Sequence, residues 1–503
     1  MYEPIVGGSR EFHLESSPLT WTDLPGWGRM AIVSEATAFT PQKIIIIGGG
    51  PGGYESALVA ANLGADVTII EEKGMGGSAV LTDVVPSKTL IASADTMNRF
   101  SEAPALGIRT RAGDELVELE VHIDKVNRRL LNLAYEQSKD IRRSLEKAGV
   151  KVIEGKGRLI DDRTVEVSDS QNLTYRLSTH AVLLSVGAHP RELADAKPDG
   201  DRIFNWTQLY QLQTVPEHLI VVGSGVTGAE FASAYRGLGA EVTLISSRDQ
   251  VLPGEDADAA KVLEDVFDRR GMNVMPRSRA AAAENTGDGV IVTLSDGRKV
   301  AGSHCLMAVG SIPNTADLGL ENAGVAVTKS GHIAVDGVSR TTASNIYAAG
   351  DCTGVLPLAS VAAMQGRIAM AHLLGDSVGP LKKHRVASNI FTSPEIATVG
   401  VTEADIESGR YQADAVMLSL STNPRAKMMA VEDGFVKIFA RKGSGTIIGG
   451  VVVGPRASEL IFSLSLAVNN KMSVDEFADS FSVYPSLTGS MSEAARRLHR
   501  MPT

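Results

Sequence analysis

Residues 43–53 read Lys-Ile-Ile-Ile-Ile-Gly-Gly-Gly-Pro-Gly-Gly. A short, wholly apolar run of β-branched residues that stops at glycine predicts a buried strand, Lys43–Ile47. Gly48, Gly50, Pro51, Gly52 and Gly53 form a turn, and a helix follows through Ala57, Ala60, Ala61 and Leu63. Glycines there let the backbone turn tightly and approach a pyrophosphate seated on the helix N-terminus. A second strand, Val67–Ile70, ends at Glu71, 18 residues past Gly53, with Glu72 beside it. An acid at that offset is placed to accept ribose hydroxyls.

The pattern occurs twice. Leu219–Val222 runs into Gly223-Ser224-Gly225-Val226-Thr227-Gly228, then a helix over Ala229–Leu238 and a strand over Glu241–Ile245. Here the residue 18 past the last glycine is Ser246. Ser246, Ser247 and Arg248 occupy the ribose corner, and no carboxylate repels a 2′-phosphate. Arg248 either pairs with that phosphate or stands as a solvated surface charge. The reading leans to NADPH, with NADH accepted as well. Two such units make the fold class α/β, with two Rossmann-like dinucleotide-binding domains.

Composition narrows the class. The net charge of −10 argues against nucleic acid or an anionic membrane as the main partner. No apolar run approaches the roughly 18 residues of a transmembrane segment, and no secretory signal opens the chain. Only Cys305 and Cys352 exist, which fits a reducing, cytoplasmic setting. Residues 1–40 carry Pro4, Pro18, Pro25 and several glycines without periodicity and read as a tail, with Met30 a candidate start. Val121–Ala148 reads as an amphipathic helix through Ile123, Val126, Leu130, Leu133, Ile141 and Leu145.

Between the two units lies Gly74-Met-Gly-Gly-Ser-Ala-Val-Leu-Thr-Asp-Val-Val-Pro-Ser-Lys88. This segment resembles the active-site motif of the pyridine nucleotide–disulfide oxidoreductases, of dihydrolipoamide dehydrogenase type. There Gly-Gly-x-Cys is followed, four residues on, by Cys-x-Pro-Ser-Lys. Gly76, Gly77, Pro86, Ser87 and Lys88 are in place, but Ala79 and Val84 hold the two cysteine positions. A dithiol relay needs two thiols at bonding distance, and neither side chain supplies one.

Further motifs follow in the family's order. Ser185–Pro190, with Gly187, and Val309–Asn314, with Gly310, resemble the strands that cross between domains. Ser344–Asp351 ends in Gly-Asp, and the resemblance assigns Asp351 to the ribityl chain of FAD. It further implies FAD contacts from Gly77, Ser78, Lys88 and Gly157, and from a helix beginning at Leu358 and Ala359. Residues after Ile390-Phe391-Thr392-Ser393-Pro394-Glu395 resemble the dimerisation domain. The implied organisation is a tail (1–40), an FAD domain (41–189), an NAD(P) domain (190–314), a return segment (315–380) and an α+β dimerisation domain (381–503).

The family's acid–base dyad is also missing. Val483-Tyr484-Pro485-Ser486-Leu487-Thr488-Gly489 places Tyr484 where the family has His and Gly489 where it has Glu. What remains is the half that takes electrons from nicotinamide. By resemblance, Lys88 lies against the flavin and Glu230 pairs with it. Val226 stands where several relatives place a Tyr lid. The chain thus resembles the cysteine-less NAD(P)H–quinone reductase branch. The expected activity passes electrons from reduced flavin to a quinone-type acceptor, with Lys88, Glu230 and Tyr484 as catalytic residues, no metal, and a homodimer as the working form. A soluble nicotinamide nucleotide transhydrogenase and a catalytically silent flavoprotein scaffold are the alternatives.

Overall fold

A computed structural model describes residues 41–108, 119–171 and 173–499. The tail read at residues 1–40 lies outside the described residues.

The opening isoleucines form β1 (Lys43–Ile47), with Ile44–Ile47 all buried. The chain continues through α1 (Pro51–Asn62), β2 (Asp66–Glu71), α2 (Gly77–Leu81), α3 (Val84–Glu102) and α4 (Ile123–Lys147). It then forms β3 (Lys151–Leu159), β4 (Thr164–Asp169), β5 (Thr174–Ser178) and β6 (Ala181–Leu184). β1 pairs in parallel with β2 on one side and β6 on the other. The glycine turn after β1 therefore sits where strand order reverses, the place where open α/β sheets take ligands. On α4 the buried stripe passes through Ile123, Asn127, Leu130, Ala134, Ser138, Ile141 and Leu145. Leu133, counted in the sequence pattern, is 43% exposed, because the step from Leu130 that stays on the buried face leads to Ala134.

The chain leaves this sheet through β7 (Ala188–Pro190). It enters β8 (Ile203–Asn205), β9 (His218–Val222), α5 (Val226–Gly237), β10 (Glu241–Ile245), α6 (Ala257–Arg269) and β11 (Asn273–Met275). An antiparallel insert follows, β12 (Ala280–Asn285), β13 (Val290–Leu294) and β14 (Lys299–Gly302), before β15 (His304–Met307). The parallel sheet runs β11-β10-β9-β15-β8, so β9 is flanked by β10 and β15 as β1 is by β2 and β6. The return, β16 (Ser311–Pro313), pairs antiparallel with β7, so the outgoing and incoming crossings are joined. β17 (Ile346–Ala348) then adds to β6 and completes the sheet β17-β6-β1-β2-β3-β4-β5. α7 (Ala359–Leu373) packs on α1 at close range. A Cβ at Gly366 would lie 2.3 Å from the Gly52 carbonyl oxygen, so only glycine fits there.

The last part is α+β. It runs β18 (Ala387–Ile390), β19 (Glu395–Gly400), α8 (Glu403–Glu407), β20 (Ala413–Ser419), α9 (Pro424–Met428), β21 (Phe435–Arg441) and β22 (Ile447–Gly454). Helices α10 (Ala457–Asn470), α11 (Val474–Asp479) and α12 (Gly489–Arg497) follow. The strands form an antiparallel sheet, β18-β19-β22-β21-β20. Among the described residues no helix is long and apolar enough to cross a membrane.

Candidate active site

The two glycine turns have the same geometry. Gly48 and Gly223 have φ of +103° and +111°, which glycine alone adopts at no cost. A Cβ on either would lie 2.2 Å from a neighbouring carbonyl oxygen, Ser185 in one turn and Ala308 in the other. Gly53 and Gly228 close their turns so tightly that a Cβ would lie 1.9 and 1.8 Å from the Gly48 and Gly223 carbonyl oxygens. Gly50 and Gly225 differ from these: a Cβ on either meets nothing within 4 Å. Each is the N-cap of its helix, α1 or α5, without a side-chain cap. Both turns thus offer open backbone and unsatisfied N–H groups where a pyrophosphate fits.

The segment that carries Ala79 and Val84 starts against the first of these turns. Gly76 N–H donates to the Gly49 carbonyl at 2.8 Å, and a Cβ at Gly77 would lie 2.9 Å from Gly50 Cα. Val84 opens α3, and Lys88, one turn on, shares its face. Lys88 Nζ donates to Glu230 Oε2 at 2.7 Å, and the Glu230 side chain is 4% exposed. The other oxygen, Oε1, accepts the backbone N–H of Phe391 at 2.8 Å. The Phe391 ring centroid lies 5.0 Å from Lys88 Nζ. One carboxylate therefore ties together α3, α5 and the turn between β18 and β19 of the C-terminal sheet.

No thiol reaches this place. Cys305 and Cys352 are both free and fully buried, and burial pushes each thiol up to about 12. Cys352 donates weakly to the Ala349 carbonyl at 3.3 Å, and Cys305 lies against Met307 Sδ. Val226, at the start of α5 beside the second turn, is 43% exposed.

Residues 42–366 match the pyridine nucleotide-disulphide oxidoreductases, and residues 386–495 match the dimerisation domain of the same proteins. The chain belongs to this family. It is 51% identical over 465 residues to the NAD(P)H dehydrogenase (quinone) of Mycobacterium tuberculosis H37Rv, covering 91% of this chain and 94% of that one. It is 31% identical over 452 residues to a dihydrolipoyl dehydrogenase of Bacillus subtilis, covering 90% and 97%. The crystal structure of LpdA from Mycobacterium tuberculosis superposes with a TM-score of 0.87 at 50% identity, covering 91% of this chain and all of that one.

A pyridine nucleotide-disulphide oxidoreductase uses FAD and NAD(P)H, and the residues here fit both. Around the first turn, Glu71 Oε2 accepts Gly49 N–H at 2.6 Å and Oε1 accepts Lys73 N–H at 2.7 Å, which fixes the carboxylate at the end of β2. Asp351 follows Gly350, whose φ is +85°. Burial raises the Asp351 carboxyl above its usual range, and His332 opposes the shift. Leu358 caps α7 with no side-chain hydrogen bond, leaving its first-turn N–H groups free for a ligand. Gly187 and Gly310, both at positive φ, flank the paired crossing strands, and a Cβ on either meets open space. Gly157 on β3 packs against Ile47 at the end of β1. Ser78 is exposed on α2. Replacing Gly225 by Ala adds a methyl in open space at the N-terminus of α5. Purified Gly225→Ala should fold and hold FAD, yet show a raised KM for NAD(P)H. An unchanged KM would place the nucleotide elsewhere.

The second ribose corner differs from its sequence reading. Ser246 is fully buried, and its hydroxyl is shared with Ser224 Oγ at 2.7 Å and with the backbone of Arg248 and Gln250. Its hydroxyl is spent within the loop. Ser247 and Arg248 are exposed. Arg248→Ala should lower the kcat/KM preference for NADPH over NADH about 10-fold, the value of one charge-assisted phosphate contact. An unchanged ratio would leave Arg248 as a surface charge.

Tyr484 lies far out on the surface of the single chain, 84% exposed, beside Phe481 and Val483. Glu493, one turn past Gly489, is engaged by Arg496 and Arg497. Sequence reasoning missed two features. The motif around Phe391 gives no sign that its N–H donates to Glu230. Lys437, in the middle of β21, is 2% exposed, and its Nζ donates to Asp256 at 2.9 Å, Asp258 at 2.6 Å and Glu403 at 2.9 Å. These three carboxylates lie close enough together to hold a metal ion, but the Lys437 ammonium already sits among them.

Proposed function

We propose that the chain is an FAD-dependent NAD(P)H oxidoreductase that delivers electrons to a quinone-type acceptor without a redox-active disulfide. One observation carries this reading: Ala79 and Val84 line the family's thiol positions while the Lys88–Glu230 pair beside them is intact at 2.7 Å. The 51%-identical relative named NAD(P)H dehydrogenase (quinone) supports it. When bound, FAD supplies the two-electron exchange between nicotinamide and acceptor. The protein's own residues do the rest. Gly225 and the α5 N-terminus seat the nucleotide phosphates. Glu230 holds the Lys88 ammonium in place, which fixes a positive charge beside the reacting atoms. Ala79 and Val84 give a flat apolar wall on which a quinone ring packs.

We place a second copy of the chain against the dimerisation domain. The exposed Phe481, Val483 and Tyr484 support this, since an apolar cluster of that kind calls for a cover. On this reading Tyr484 reaches the partner's acceptor site, where its ring packs on the quinone and its hydroxyl donates to a carbonyl oxygen. The test is a steady-state acceptor comparison with NADH or NADPH, run with a sedimentation measurement. Quinones should turn over, lipoamide and glutathione disulfide should not, and the active species should be a dimer. Lipoamide turnover at a rate comparable to quinone refutes the acceptor reading, and an active monomer refutes the shared site.

A further inference from the structure

The reaction proposed above needs one proton that the nucleotide does not carry. NAD(P)H gives up a hydride, two electrons with one proton, whereas a quinone takes two electrons and two protons to become a hydroquinone. Relatives with thiols have a histidine at the Tyr484 position; on the reading above the partner's Tyr484 donates a hydrogen bond to one quinone carbonyl oxygen and keeps its own proton, and in this subunit Tyr484 stands on the exterior. The proton source therefore has to be sought among the titratable groups near Ala79 and Val84.

Four such groups come from different elements: Asp83 in the α2–α3 turn, Lys88 on α3, Glu230 on α5 and Asp351 after β17. Lys88 and Glu230 are committed to each other, and the second oxygen of Glu230 to Phe391. Asp351 belongs to the cofactor cradle. Asp83 is left. It immediately precedes Val84, and its backbone is fixed at both ends. Its N–H donates to the Ser78 carbonyl at 2.8 Å, and its own carbonyl accepts Ser87 N–H at 2.8 Å. Although it occupies the N-cap of α3, its side chain makes no cap hydrogen bond, with φ −128° and ψ −89°. Its carboxyl is thus not spent on the helix.

A second observation comes from the neighbouring wall. Tyr210 is 4% exposed, and its hydroxyl is buried without a hydrogen-bond partner among the described residues. Burial raises this phenol well above its usual range, and the charges of Asp83 and Glu230 add to the shift. The Tyr210 ring centroid lies 6.3 Å from that of Phe231, the residue after Glu230, so a buried hydroxyl with nothing to bond stands near the Lys88–Glu230 pair and within electrostatic reach of Asp83.

We propose that Asp83 is the group that holds the second proton and passes it to the quinone carbonyl oxygen. In that step the Asp83 O–H bond breaks, a new O–H bond forms on the acceptor, and the electron pair stays on the carboxylate. Solvent then reprotonates Asp83. The sum is NAD(P)H, one proton and quinone going to NAD(P)+ and hydroquinone. Asp83 has the acidity for this. Burial raises its carboxyl from 3.8 to about 6, Lys88 pulls it down, and Glu230 and Asp351 push it up. A general acid works best when its acidity lies near the working pH.

The inference rests on the quinone reading, and the test separates the two. Wild type, Asp83→Asn and Asp83→Glu are compared with a quinone and with ferricyanide, which takes one electron and no proton. The quinone-to-ferricyanide rate ratio should fall about 100-fold in Asp83→Asn, the lower end for general acid catalysis, and recover in Asp83→Glu. Wild-type quinone kcat/KM should decline above about pH 6, and the Asp83→Asn profile should lose that limb. A third readout needs no turnover. A carboxyl raised in the folded state binds extra protons there, so the folded protein loses stability as pH rises from about 4 to about 6. Asp83→Asn should therefore melt higher than wild type at pH 7.5, and the difference should vanish at pH 4. An unchanged rate ratio, or a melting difference independent of pH, overturns the assignment to Asp83. A wild type that reduces ferricyanide but no quinone ends the acceptor reading, and this proposal with it.

Discussion

Lys437→Ala costs the folded protein about 3–5 kcal/mol, the value for removing one partner from a buried ion cluster. The size follows from what is left behind. The Asp256 side chain is 4% exposed, and its Oδ1 both accepts the first N–H groups of α6 and binds Lys437 at 3.0 Å. Without the ammonium, that carboxylate stays desolvated beside Asp258 and Glu403, with like charges around it. The cluster also joins α6 of the nucleotide-binding sheet to α8 and β21 of the C-terminal sheet, so its loss loosens the contact between two parts of the chain. Burial alone would lower the lysine, but three carboxylates outweigh it and hold the group well above its usual range. A cation raised in this way contributes its full stability below the unfolded lysine value and loses it only as pH climbs through the higher folded value. The effect is therefore constant across neutral pH. Denaturant unfolding of both proteins measures it. Asp258→Asn, which alters a half-exposed partner, should cost under about 1 kcal/mol. A Lys437→Ala loss no larger than that would mean that the cluster is solvated.

Glu230→Gln should slow flavin bleaching by NAD(P)H about 100-fold while leaving FAD content unchanged. The substitution keeps the volume and the Phe391 hydrogen bond but removes the charge that holds Lys88. Preorganised charge at a reacting centre contributes on the order of 100-fold or more per group. The Lys88 side chain is 26% exposed, so its freed ammonium can turn toward water, and the fixed positive charge is then lost from the site. Anaerobic stopped-flow mixing reads the rate directly. A change within about three-fold would show that the pair only braces α3 against α5.

Both dinucleotide turns were legible in the sequence because backbone sterics demand them. Gly53 and Gly228 sit where any Cβ would strike the carbonyl oxygen five residues earlier, and an isoleucine run such as Ile44–Ile47 has few other uses. The Lys88–Glu230 contact spans 142 residues and was reachable only through the family resemblance, since no local pattern encodes it. Ser246 shows the limit of an offset rule. Counting from the glycines leads to the residue after β10, but the loop turns its hydroxyl inward to Ser224. Leu133 failed for a similar reason, since periodicity tolerates a one-residue error that the packed face does not. Lys437 was invisible. In Phe-Val-Lys-Ile-Phe a lysine reads as the solvent side of a strand, and the carboxylates that bury it lie 34, 179 and 181 residues away.

The most direct test follows the electrons. Purified holoprotein is reduced anaerobically with one equivalent of NADH or NADPH and then mixed, in separate shots, with a quinone and with lipoamide. The flavin should bleach on nucleotide addition, recover its colour with the quinone at a rate matching turnover, and stay bleached with lipoamide. Recovery with lipoamide at a comparable rate would contradict transfer without thiols, and with it the reading of Ala79 and Val84 as an acceptor wall.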